Sequence, residues 1–267
     1  MKILFPTDFT EQSIHVLKEI VSLNQKLNYE LIILHAYSRP HAEGFDQGGK
    51  LDQNEKNVEK HFNSLTKEIP QLSNQKHTFK KVLGDVLDSV IYYVEHESIG
   101  LIVMSTKGAV GIGELFGTKT AKIIKSVNIP VMVVPKDATL MPVNKVGLAC
   151  DYSEETSLKK LDLLTKLAET LKFELDLITL NRDEKTMTVR ENNNRDSLKK
   201  SLGNIAHTSH FVTSGNVEWG LIKYARSNDL NMVVVIPKSY NFIERIFHES
   251  LTQEMAFHSP VPVLVLK

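Results

Sequence analysis

Residues 84–104, GDVLDSVIYYVEHESIGLIVM, align without a gap on residues 215–235, GNVEWGLIKYARSNDLNMVVV. Each stretch passes from a helical pattern into a run dominated by Val, Ile, Leu and Met. Such a run is expected of a strand covered on both faces, as in a parallel sheet. The likeness extends outward in both directions. KILFPTD (2–8) matches KVGLACD (145–151), YELIILHAYS (29–38) matches FELDLITLNR (173–182), and IPVMVVPK (129–136) matches VPVLVLK (261–267). The chain is therefore an internal duplication.

The offset narrows from 143 residues between Asp8 and Asp151 to 132 between Pro130 and Pro262, so the second copy is 11 residues shorter. Most of the difference lies in RPHAEGFDQGGKLDQNEK (39–56), read as a surface loop leading into a helix. The predicted strands are 2–7, 30–37, 77–83, 100–105 and 130–134 in the first copy. In the second they are 145–150, 173–180, 207–213, 231–236 and 261–266. Helical patterns alternate with them: Ile14, Leu17, Ile20 and Val21 mark the first helix, and Leu158, Leu161, Leu164 and Ala168 its counterpart. Alternating strands and helices predict two α/β domains, Rossmann-like, spanning 1–137 and 144–267 and joined through PKDATLMPVN (135–144).

The bulk numbers narrow the function classes. Of 267 residues, 42% are hydrophobic and 24% charged, as in a globular chain with a real core. Acidic and basic residues number 32 each, with 16 of each in residues 1–140, so neither half is a basic module built for nucleic acid. No apolar run approaches the roughly 20 residues that cross a bilayer. One cysteine, Cys150, excludes an internal disulfide. A soluble, cytoplasmic protein with no membrane partner is the expectation.

In an open parallel sheet, ligands bind at the carboxyl ends of the strands, near the switch in strand order. Three features of the first copy fall there. Asp8 ends the first strand, His35-Ala36-Tyr37 end the second, and the glycine-rich MSTKGAVGIGELFGTKTAKI (104–123) follows the fourth.

FPTDFTEQS, LIILHAYS and GTKTAKIIKSVNIPVMVVP, taken in order, resemble the universal stress protein domain, and the resemblance spans both copies. It implies a five-stranded parallel sheet of order 3-2-1-4-5 in each, with dimer-like pairing through the last strands. That pairing is open to the two copies of one chain or to a homodimer, since IPVMVVP and VPVLVL are apolar edges. In ATP-binding members the loop reads G-x2-G-x9-G-[S/T]. The glycine backbone and hydroxyls hold phosphates, and the first-strand Asp contacts the nucleoside.

Carried onto the first copy, the loop becomes Ser105-x2-Gly108-x8-Gly117-Thr118, with Thr120 as a further phosphate-side hydroxyl. Asp8 and Ala36 complete the implied nucleotide set. Ser105 replaces a glycine and the spacer is one residue short, a deletion that Gly111 and Gly113 can absorb. In the second copy the same positions are Ile236-x2-Ser239-x9-Glu249-Ser250, and no glycine is left. Two like charges 4 Å apart repel by about 4 kcal/mol at an effective dielectric of 20, so Glu249 opposes a phosphate there. The second copy is expected not to bind ATP in the family's way.

Each feature has a structural alternative. Asp8-x-x-Glu11 and Asp151-x-x-Glu154 both fit a capping box. The glycines fit a flexible strand-to-helix connection, and Lys107 and Lys119 fit solvated charges. No Gly-Lys-Ser/Thr closes a Walker A motif. The ten histidines show no metal spacing, and His207 and His210, three apart on a strand, face opposite sides. No metal is expected beyond the magnesium that accompanies ATP. Cys150 reads as a buried, inert thiol and Trp219 as the start of a helix.

No catalytic constellation stands out, so hydrolysis would at most be slow. Two functions remain open: a stress-response regulator binding ATP or AMP in its first copy, and an interaction scaffold whose loops are structural. In either case a protein partner is expected but not named by the sequence.

Overall fold

The computed structural model describes residues 1–37, 47–105, 118–237 and 261–267, with backbone alone at 47–54, 118 and 218. The described chain divides into two compact units, Met1–Val131 and Met132–Lys267.

The first unit runs β1 (Lys2–Pro6), α1 (Glu11–Leu27), β2 (Glu30–Tyr37), α2 (Gln47–Glu68), a 3-10 turn (Pro70–Asn74), β3 (His77–Leu83), α3 (Val86–His96), β4 (Ile99–Ser105) and α4 (Thr118–Ser126). Its strand order is β3-β2-β1-β4, all parallel, with Ile3 opposite Leu31 on one side and Leu101 on the other. Helices cover both faces, and the central strands show it: Ile3, Leu4, Phe5, Leu101 and Ile102 have no exposed surface. β5 (Val131–Val134) begins where the unit ends, and Ile102 N–H donates to the carbonyl of Pro130 just before it (3.0 Å).

Helix α1 forms because Val16, Leu17, Ile20, Val21 and Leu27 fall on one stripe and are buried there. It stops at Asn28, which takes the left-handed conformation (φ 54°) and returns its N–H to Asn24. The insert expected to lead into a helix is helical from Gln47; residues 38–46 lie outside the described residues.

The second unit runs β6 (Lys145–Cys150), α5 (Leu158–Leu171), β7 (Glu174–Leu180), a 3-10 turn (Glu184–Thr186), α6 (Val189–Leu202), β8 (His207–Val212), α7 (Val217–Ser227), β9 (Met232–Val235) and β10 (Val263–Val265). Its order is β8-β7-β6-β9-β10, parallel throughout, the 3-2-1-4-5 arrangement implied by the resemblance. Helix α5 ends as α1 does, on a left-handed Lys172 (φ 62°).

Observed strand ends lie within two residues of the sequence reading. Leu158 belongs to the apolar pattern of α5 but is 67% exposed, because it is the first helical residue and points away before the stripe of Leu161, Leu164 and Leu167 begins. The connecting stretch 135–144 is not a solvated tether: Ala138, Leu140 and Val143 are buried, and the Met141–Pro142 bond is cis. Among the described residues, no helix is long and apolar enough to cross a membrane.

Candidate functional site

The carboxyl edge of β1 is built by short-range hydrogen bonds. Thr7 N–H extends the parallel pairing by donating to Leu34 (2.8 Å). One residue on, Asp8 Oδ1 accepts both the backbone N–H (3.1 Å) and the hydroxyl (2.6 Å) of Thr10. This is an Asx turn. It carries Phe9 into the left-handed region (φ 59°), unusual for a bulky side chain. Below it, the Thr7 and Ser13 hydroxyls meet at 2.8 Å, and Thr7 Oγ1 accepts the Phe9 N–H.

The capping-box reading of Asp8 is therefore corrected. The N-cap of α1 is Thr10, whose hydroxyl accepts Ser13 N–H, and Asp8 stands two residues ahead with its exposed carboxylate bonded into the turn. A left-handed residue between Asp8 and the helix shifts the cap along the chain. The same correction applies to Asp151. Its Oδ1 accepts Ser153 N–H (3.0 Å), Tyr152 is left-handed (φ 56°), and α5 waits until Leu158, after an N-cap Ser157 that makes no side-chain cap bond.

β1 lies between β2 and β4, with all three carboxyl ends at one edge. Asp8, Ala36 and Ser105 thus follow or end three adjacent strands, across the point where strand order reverses. Ser105 is the last residue of β4 and half-buried; Ala36 sits on β2 opposite Val82 of β3. Helix α4 opens at Thr118, as expected. Thr120, in its first turn, is buried at 7% exposure. Gly108 and Gly117, with Lys107, Gly111 and Gly113, lie outside the described residues. Lys119 Nζ stands 3.9 Å from Asp85 Oδ2, both side chains well exposed.

Behind the Asp8 turn is a ring cluster that sequence reading missed. Phe9 packs against His35 of β2 (centroids 4.4 Å) and against His61 (4.8 Å) and Phe62 (5.2 Å) of α2. His35 Nδ1 donates to the carbonyl of Thr7 (2.7 Å), tying β2 to the residue before Asp8. Burial pushes the His35 pKa below its ordinary value. The Thr7 hydrogen bond and the Asp8 charge act the other way, and His61 adds to the lowering. The signal was Phe at a turn position beside a strand-ending His, but His61 lies far along the chain.

Among the described residues, no group of three or more His, Cys, Asp or Glu could hold a metal ion. His207 and His210 have separate partners: the Ile205 carbonyl and Asp176.

A model of the Universal stress protein family matches residues 1–135 and 148–267. The chain belongs to the universal stress protein family. A curated universal stress protein of Methanocaldococcus jannaschii is 28% identical over 153 residues, covering 51% of this chain and 94% of that protein. Among solved structures, a universal stress protein of Archaeoglobus fulgidus covers 100% of this chain and 98% of its own, at 18% identity and a TM-score of 0.75. A Pseudomonas aeruginosa protein described as functionally unknown covers 99% of this chain and 92% of its own, at 15% identity and a TM-score of 0.61. At these identities the two structural likenesses establish fold.

Within this universal stress protein the two repeats have diverged at the edge where the family's loop lies. In the second, Thr179 takes the place of His35, and Leu180 that of Ala36. Tyr152 replaces Phe9 and is buried at 4% exposure, its hydroxyl pKa raised by that burial. Cys150 replaces Thr7, and its thiol donates a hydrogen bond to the Leu148 carbonyl (3.3 Å). Ile236 is half-buried; Ser239, Glu249 and Ser250 lie outside the described residues.

Proposed function

We propose that the first repeat binds an adenine nucleotide, ATP or AMP, and that the protein is a nucleotide-responsive regulator within its family. The observation that carries this reading is the placement of Asp8, Ala36 and Ser105 on the adjoining ends of β1, β2 and β4, with α4 opening at Thr118 after the glycine-rich stretch. Nucleotides lie at this kind of edge because backbone amides and a helix N-terminus favour phosphate there. Asp8 would meet the ribose hydroxyls from its turn, and Gly108, Gly117 and Thr118 the phosphates. Magnesium would arrive with the triphosphate, whose oxygens supply the hard ligands it prefers.

The second repeat is proposed not to bind nucleotide in this manner. Leu180 is bulkier than Ala36, and the glycines are replaced, with Glu249 opposing phosphate. The setting we propose is the reducing cytoplasm, in keeping with a single cysteine.

Equilibrium dialysis of the purified chain against ATP tests the reading. Saturable binding that Asp8→Ala abolishes supports it. No binding at millimolar ATP leaves the protein as an interaction scaffold.

A further inference from the structure

The Asp8 turn is held from behind by a cluster that includes His35, which can take up a proton. Phe9 keeps its left-handed backbone because the Asx turn fixes it on one side and the rings of His35, His61 and Phe62 pack its side chain on the other. His35 also grips Thr7, the residue before Asp8, through Nδ1. A carbonyl only accepts, so Nδ1 carries the hydrogen in neutral His35 and the titrating proton goes to Nε2.

That proton would place a cation inside a half-buried aromatic cluster. The groups facing His35 come from every neighbouring element. Asp8 stands on the turn, His61 on α2, and Lys81 beside it in register on β3. Glu55 and Glu59 of α2 are both engaged by Lys81. Asp8 favours the cation; burial and His61 oppose it, and burial is the largest effect. The response that spares the core is withdrawal of the exposed His61 ring from His35 and Phe9, since Phe62 is only 6% exposed and holds α2 in place. Phe9 then loses what offsets its strained φ, and the turn that presents Asp8 relaxes.

We propose that His35, acting through Phe9, makes nucleotide binding at Asp8 proton-linked: neutral His35 holds the binding-competent turn, and protonated His35 releases it. This rests on the nucleotide reading given above. His35 is a positioning residue here, and the second repeat has no such control, since Thr179 stands at its place beside an otherwise similar turn.

The test measures ATP affinity from about pH 8 down to about pH 4.5, since burial moves His35 to the acid side of the ordinary histidine range, for the wild type and for His35→Asn, whose amide can still donate to Thr7 but takes up no proton. In the wild type, Kd should rise on the acid side by up to about tenfold per pH unit, the limit for one linked proton. His35→Asn should show only the dependence due to ATP's own ionisation. Identical pH profiles for the two proteins, or a wild-type affinity that strengthens in acid relative to His35→Asn, would overturn the proposal.

A measurement on the unliganded wild type guards against a variant that fails to fold. The His35 imidazole and the Thr10 amide, followed by NMR, should titrate with one midpoint; a Thr10 amide that ignores His35 protonation sinks the coupling. A shared titration with no ATP binding at any pH would instead overturn the nucleotide reading, and the proposed regulation with it.

Discussion

Asp176 Oδ2 lies 2.9 Å from Lys145 Nζ, on a carboxylate side chain only 4% exposed. The same oxygen accepts the Tyr224 hydroxyl at 2.9 Å, and Oδ1 stands 3.3 Å from His210 Nε2. One carboxylate in β7 thus joins the start of β6, the middle of β8 and helix α7. In the first repeat the corresponding residue is Ile32, buried at 2% exposure, and the matching Lys2 pairs with Glu97 instead.

Removing that carboxylate should be costly. Breaking a buried pair by deleting one partner costs about 3–5 kcal/mol, and the low end applies because Lys145 is 32% exposed. Asp176→Ala should therefore lower the unfolding free energy of the second unit by about 3 kcal/mol, read from the shift in its denaturant midpoint. Trp219, the single tryptophan, reports that unit by fluorescence. Asp176→Ile with Lys145→Met should recover only part of the loss, since the Tyr224 hydroxyl and His210 still lose their partner. A cost below about 0.5 kcal/mol for Asp176→Ala would show that the network contributes nothing beyond a surface pair.

Among the helices whose N-caps are described, α6 alone has a capping box. Thr188 Oγ1 accepts Glu191 N–H (3.2 Å), and Glu191 Oε2 accepts Thr188 N–H (2.8 Å). Glu191 is 6% exposed and also meets Arg182. Thr188→Ala should cost about 1 kcal/mol, and Thr188→Ser should restore nearly all of it. Urea denaturation followed at Trp219 checks both.

The Cys150 thiol is pushed up to about 12 by burial, the Asp151 charge adding to the effect and Tyr152 opposing it. An acid whose folded pKa is raised adds stability that is complete below the ordinary thiol value and is lost as pH rises toward the folded one. At pH 8 the thiolate is scarce, so alkylation should be slower in the folded chain than in denaturant by up to about a thousandfold, the ratio of the two thiolate fractions. The residue itself is half-buried, not buried as the sequence suggests, and comparable iodoacetamide rates in the two states would contradict an inert Cys150 thiol.

The strands were legible in the sequence because residues such as Leu101–Met104 and Met232–Val235 are apolar without alternation, and only a doubly covered strand needs that. The positions of Asp8, Ala36 and Ser105 followed from the same strand ends. The helix starts were misread for a local reason. Asp-x-x-Glu looks like a capping box, but Asp8 and Asp151 bond two residues on, and a left-handed Phe9 or Tyr152 moves the helix away. The true box, Thr188-x-x-Glu191, carries the same signature at a helix start where no left-handed residue intervenes. The Asp176 network and the Phe9 cluster were not legible, because Tyr224, His210 and His61 reach them from distant parts of the chain.

The central claim is that one nucleotide binds, and binds in the first repeat. Calorimetric titration of the full chain with ATP tests it most directly, using the wild type, Asp8→Ala, Gly117→Glu and Asp151→Ala. The account predicts about one site per chain, lost in Asp8→Ala and Gly117→Glu and kept in Asp151→Ala. Binding that survives both first-repeat changes, or is lost only in Asp151→Ala, would contradict it.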